Sequence, residues 1–98
     1  MSSMRQLMKQ AQEMQEKLQR ELATTTVEAS VGGGMVSVKM NGHRQLIGCK
    51  IDPEAMDPDD PSMLEDLIVA AVNEAGRKIE ETMQQRMGSM AASLPGLF

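Results

Sequence analysis

Apolar residues recur at Leu64, Ile68, Ala71, Val72, Ala75, Ile79 and Met83, with Asp66, Asn73, Arg77, Glu80 and Gln84 between them. This spacing predicts a helix over 61–87. Asp60 or Ser62 can cap its start, Ser62 stands at capping-box spacing from Glu65, and Pro61 suits a first helical position. At 100° per residue the apolar arc, from Leu67 through Ile68 to Val69, spans about 200°, where one core contact needs only ≳100°. The excess predicts two partners for this helix, its own domain and a second copy of the chain. Leu67, Ile68, Val69, Ala70 and Val72 are the expected dimer contact, and Ala70, Ala71, Ala75 and Gly76 are small enough for close approach. The alternative is a helix buried in one large core, which so short a chain hardly offers.

A second helix is predicted over 3–23. Met4, Leu7, Met8, Ala11, Met14, Leu18 and Leu22 form a stripe about 120° wide, ordinary for a single partner. Glu13 with Lys17 and Glu16 with Arg20 are i,i+4 pairs in the favourable order. Gln fills positions 6, 10, 12, 15 and 19, and Arg5, Lys9 and Arg20 share a flank. By charge alone this is a solvated face laced with local ion pairs.

Between the helices the period changes to two. Val27, Ala29 and Val31 share a face in 24–31; Val36, Val38 and Met40 do so in 35–40; Ile47, Cys49 and Ile51 do so in a third run. Gly32-Gly33-Gly34 separates the first two runs. Asn41-Gly42 predicts a two-residue hairpin turn between the second and third, because both positions tolerate the positive φ such a turn requires. The fold class is α+β, one domain over 1–98. Its order is α-β-β-β-α, a three-stranded antiparallel meander flanked by two long helices. Gly88 is the expected helix stop, with 88–98 a flexible tail.

The core must come from aliphatics and 11 Met, since the chain has one Phe and neither Trp nor Tyr. Met is a flexible filler, and a protomer so built should be marginal on its own, which again favours a dimer. Formal net charge is −4 over 98 residues, but residues 51–60 alone carry Asp52, Glu54, Asp57, Asp59 and Asp60 with no base. Residues 1–50 are mildly basic. No run approaches the ~20 apolar residues of a membrane span, and no signal-peptide core opens the chain. A single Cys fits a reducing compartment, so the expected location is the cytoplasm, without a membrane partner.

Catalytic chemistry is hard to assemble here. His43 and Cys49 are the only His and Cys, and six residues of strand set them about 20 Å apart. Cys49 is expected to be a buried small apolar side chain. The Gly run lacks the Lys-Ser/Thr and following helix of a phosphate-binding loop. The Asp-rich loop over 52–62 lacks the Gly and Glu of a calcium loop and is interrupted by Pro58 and Pro61. No metal, cofactor, small-molecule substrate or enzymatic activity is expected.

The chain resembles the YbaB/EbfC nucleoid-associated proteins. Four stretches carry the resemblance, in order over nearly its full length: Leu7-Met8-Lys9-Gln10-Ala11-Gln12 with Met14-Gln15-Glu16-Lys17; Gly33-Gly34 with Val36, Val38 and Asn41-Gly42; Ile51-Asp52-Pro53; and Met63 through Ala75. The Pro95-Gly96 end of the tail is also similar. The resemblance implies an α-β-β-β-α homodimer with outward helices, binding DNA in the bacterial cytoplasm as a nucleoid component. The family's helix contacts, carried to matching positions, imply Lys9, Lys17 and Arg20 on the first helix and Arg77, Lys78 and Arg86 on the last. Arg5 joins them from its place on the exposed flank.

Counterion release from phosphate by Lys and Arg would supply most of the affinity. With almost no aromatics to stack bases, duplex DNA is favoured over single strands, with weak sequence selectivity. The alternative function is a protein-interaction dimer, an adaptor using its Met- and Leu-rich helices without direct DNA binding.

Overall fold

A computed structural model describes residues 2–92. The elements are α1 (Ser2–Thr24), β1 (Thr26–Val31), β2 (Val36–Asn41), β3 (Leu46–Ile51) and α2 (Pro61–Ala92). The strands form one antiparallel sheet in the order β1-β2-β3, the α-β-β-β-α architecture read from the sequence. Ala29 pairs with Val38 and Val31 with Val36; Val36 pairs with Ile51 and Val38 with Cys49. These alternating positions give the sheet one apolar face.

That face is covered by α2. Ala71, Ala75 and Ile79 recur every four residues and are fully buried against Ala29, Val36, Val38 and Met40. Leu64, Leu67, Ile68, Val72 and Met83 line the flanks of the contact, half-buried. The small Ala side chains bring the helix axis close to the sheet, so the neighbour they admit is the chain's own sheet. α2 packs on β1 and β2, with far less contact to β3.

The start of α2 is settled by Asp60. Its Oδ1 accepts hydrogen bonds from Met63 N (3.3 Å) and Ser62 Oγ (2.9 Å), so Asp60 is the cap, Pro61 the first helical residue, and Ser62 lies inside the helix. Asp52 and Asp57 likewise accept from Glu54 N and Asp59 N, each at 2.9 Å. The acidic loop is thus a series of Asp-stabilised turns.

The structure corrects three expectations. Gly88 does not end the helix, which runs on to Ala92; an exposed helical Gly costs only about 1 kcal/mol relative to Ala, and Met90, Ala91 and Ala92 beyond it are helix-compatible. The rest of the expected tail, 93–98, lies outside the described residues. Cys49 does not sit inward under cover: it is exposed, because α2 leaves β3 uncovered except at Ile51.

The third correction is the β2–β3 turn. It is not a two-residue turn with positive φ at Asn41 and Gly42. Asn41 O accepts from Arg44 N (3.0 Å), Asn41 N donates to Gln45 O (3.0 Å), and the residue with positive φ is Arg44, at 63°. This is a three-residue loop, a tight turn followed by a left-handed residue. The buried Asn41 side chain holds it, Oδ1 accepting from His43 N (2.9 Å) and Gln45 N (3.1 Å) and Nδ2 donating to Gln45 Oε1 (3.0 Å). Gly42 is needed for a different reason: a Cβ there would stand 2.6 Å from the carbonyl oxygen of Leu22 in α1. Positive φ is instead required at Gly32, Gly33 and Gly34, which turn the chain from β1 to β2 at φ of 64°, 66° and 95°.

Gly42→Val should therefore destabilise the protein through collision with the α1 backbone, by about 1–3 kcal/mol as for other overpacked sites. Thermal melting checks this, and Gly42→Ala should lower the melting temperature in the same direction, since the clash begins at Cβ.

Candidate nucleic-acid interface

The longest dimension of the molecule is 69 Å, against 27 and 15 Å for the other two. α1 is responsible for much of that length. Its 23 residues span about 34 Å at 1.5 Å each. Every residue from Ser3 to Glu21 is exposed, and its tertiary contact is with β2 at its base. It is an arm. The predicted apolar stripe is present and, apart from half-buried Leu22 at its base, bare: exposure runs from 53% at Leu18 to 74% at Met14, with Met4, Leu7 and Met8 between. The single partner expected for this stripe is not supplied by the protomer.

Arg5, Lys9, Lys17 and Arg20 all lie exposed on this arm. The i,i+4 pairs predicted there do not close: among the described residues, ion pairs form only around Arg77. None of the four arm cations has a side-chain hydrogen-bond partner among the described residues, so their charge is open to an external anion.

The cations of α2 are differently placed. Arg77 is gripped on both sides, by Glu74 (2.5 Å) and Glu81 (2.5 Å). The hydrogen bond from Arg77 holds the Glu74 carboxyl below its ordinary value, and the same bond raises Arg77. Lys78 Nζ donates to the backbone carbonyl of Glu28 in β1 (2.8 Å). Arg86 Nη1 donates to Thr25 Oγ1 (2.7 Å), at the base of the arm. The structure thus divides the seven sequence-selected cations into four that are unpartnered on α1 and three that brace α2, to itself or to its neighbours.

Of the five residues expected at a dimer contact, Leu67, Ile68 and Val72 are half-buried against the core, while Val69 (60% exposed) and Ala70 are exposed. The bare apolar surface includes positions that helical periodicity could not select: Leu46 and Ile47 are 47% and 51% exposed. A bulge opposite Met40, where Leu46 takes the pairing and Ile47 is the extra residue, adds to the apolar side chains presented by β3. Beside it, Met40, Val72 and Gly76 floor a shallow groove rimmed by Arg44 and Arg77. No sequence pattern marked Thr25 or Arg86 as a joint, because the two are 61 residues apart.

The acidic loop stands far from the arm. It precedes Pro61, and the arm's base meets α2 at Arg86, some 25 residues along, or about 38 Å of helix. This is several times the ~8–10 Å screening length of physiological salt, so the loop's negative charge does not neutralise the arm. Among the described residues no helix is long and apolar enough to cross a membrane.

Comparison with known proteins gives the family and the fold. The family model of the YbaB/EbfC DNA-binding family matches residues 1–94. A nucleoid-associated protein of Chloroflexus aurantiacus is 50% identical over 97 residues, covering 96% of this chain and 97% of that one. Another, from Acidobacterium capsulatum, is 52% identical over 104 residues, covering 97% and 95%. The crystal structure of an uncharacterized protein from Helicobacter pylori matches with a TM-score of 0.72 at 24% identity, over 93% of this chain and 96% of that one, a likeness of fold. With a family model spanning almost the whole length and relatives at half identity, the chain belongs to the YbaB/EbfC DNA-binding family.

Proposed function

We propose that this protein is a bacterial nucleoid-associated protein that works in the cytoplasm, binding duplex DNA as a homodimer with weak sequence selectivity. Membership in a DNA-binding family supports the activity, and the relatives' names support the nucleoid setting. The observation that carries the site is the exposed arm whose Arg5, Lys9, Lys17 and Arg20 have no polar partner among the described residues. Long flexible cations release counterions from phosphate, and the Gln side chains among them can hydrogen-bond phosphates or base edges, a mixture that favours backbone-dominated binding. Lys78 and Arg86 contribute field and bracing, and Arg77 is already neutralised by two carboxylates.

The homodimer is supported by uncovered apolar surface. Val69 and Ala70 on α2 and Leu46 and Ile47 on β3 are exposed, and α1 bares most of its stripe. Two copies would bring two arms into one assembly, doubling each set of cations. The stripe also fits a second reading, an adaptor that takes a partner helix on α1; salt-insensitive capture of one protein, without DNA affinity, would favour it.

Sedimentation at micromolar concentration should give a dimer. Val69→Asp, on the exposed side of α2, should lower the dimer fraction while the circular dichroism stays helical, because a lone charge is buried only in the assembly. A folded monomer for the unsubstituted protein would overturn the dimer.

Replacing Lys9 and Arg20 together by Gln should weaken binding to all duplex sequences about equally. It should reduce the slope of log affinity against log salt by roughly 0.9 for each phosphate that is no longer neutralised. Arg77→Gln should change that slope less, since its charge is shared with Glu74 and Glu81. Salt-titrated binding to duplexes of differing sequence measures both, and slopes identical to the parent for the double variant would remove α1 from the DNA contact.

A further inference from the structure

We infer that Arg86 is a positioning residue: through Thr25 it sets the angle at which the α1 arm leaves the body, and thereby where the arm's cations meet DNA. The inference rests on the reading that α1 contacts DNA.

The base of the arm is a small polar joint. Thr25 is the one residue between α1 and β1 and is only 7% exposed. Its N–H donates to Glu21 O (2.9 Å), and its hydroxyl donates to the same carbonyl (2.6 Å). A hydroxyl has one proton to give and lone pairs to spare; the proton goes back into α1, and a lone pair takes Arg86 Nη1 at 2.7 Å. The last turn of α1 is thereby tied to α2. On the other side Gly42 N donates to Leu22 O (2.8 Å), with no room there for even a Cβ. Beyond this joint the arm has no polar contact to the body among the described residues.

A rod held at one end turns small angular errors into large displacements. At 1.5 Å per residue, Arg5 lies about 28 Å from Thr24 and Lys17 about 10 Å. A swing of about 10° then moves Arg5 by about 5 Å and Lys17 by under about 2 Å, against the ~0.5 Å spread of a hydrogen-bond distance. Loosening the joint should therefore cost the distal cations, Arg5 and Lys9, before the proximal ones.

Thr25→Val separates positioning from charge, because Thr25 is uncharged and buried and cannot release a counterion itself. The variants are Thr25→Val, Arg86→Gln, their combination, and Thr25→Ser, which keeps the hydroxyl. The first readout needs no DNA: the distance distribution between spin labels at positions 10 and 80 in a Cys49→Ser background, the labelled protein diluted with unlabelled. The two single variants should broaden it alike, the combination no further, and Thr25→Ser should match the parent. The second readout is the salt slope of duplex binding. In Thr25→Val and Arg86→Gln it should fall by roughly 0.9 for each phosphate the distal cations no longer reach, again without addition in the pair.

An unchanged distribution in both single variants would overturn the inference, the arm then being held elsewhere, for instance by a second copy. Parent-like behaviour of Thr25→Val with weakened binding of Arg86→Gln would also overturn it and make Arg86 a phosphate contact. Broadened distances with unaltered DNA binding would keep the joint and overturn the reading of α1 as the DNA-binding arm.

Discussion

One helix can cover two strands. An α-helix with its side chains is about 10–12 Å across, and strands in a sheet lie about 4.8 Å apart, so α2 seated over β1 and β2 leaves β3 outside its footprint. Most of what is distinctive in this protein follows from that mismatch. The bulge in β3 breaks the expected alternation, setting Leu46 rather than Ile47 opposite Met40, and Leu46, Ile47 and Cys49 stand exposed. Among the described residues the contiguous core cluster has seven buried members, five of them Ala or Val, with Ile79 and Val36 the largest fully buried side chains. A protomer with so little interior would gain from any partner that covered the rest, which is the ground for the proposed dimer.

A second helix on the sheet would have solved the same problem, and α1 does not provide it. Only Thr25 separates α1 from β1. A single residue cannot reverse the chain and lay a 23-residue helix back over its own sheet. The close approach of Gly42 to Leu22 pins the helix end where it is. The geometry that deprives the core of a layer gives the molecule an arm, and among the described residues the arm's cations form no closed ion pair, although Glu13, Glu16 and Glu21 share the helix. On α2, by contrast, packing brings Glu28 O and Thr25 Oγ1 within reach of Lys78 and Arg86, and helix spacing brings two carboxylates to Arg77.

The acidic average of the chain is reconciled with an anionic partner by distance. Asp52 and Asp57 serve turns and Asp60 the cap of α2, and α2 is long enough to hold the acidic loop several screening lengths from the arm's base. Net charge describes the whole molecule, while the field at the arm is set by the charges near it.

Local patterns were enough to place both helices, all three strands, the antiparallel meander and the buried line of α2, because periods of 3.6 and 2 report directly which side chains face a core. The family was legible for the same reason: Met63 through Ala75 and Asn41-Gly42 are local strings. The sequence alone also named the arm's cations, but not that they would be free while Arg77, Lys78 and Arg86 are engaged. That distinction depends on partners such as Glu28 and Thr25, which only folding brings near. The turn at Asn41 shows the limit most sharply. Gly42 was marked by its dipeptide as a residue of positive φ, whereas the fold uses its missing Cβ to admit Leu22 and gives the positive φ to Arg44. Periodicity determines which face of an element is apolar; whether anything covers that face is decided by widths, connection lengths and close contacts between segments far apart in the chain.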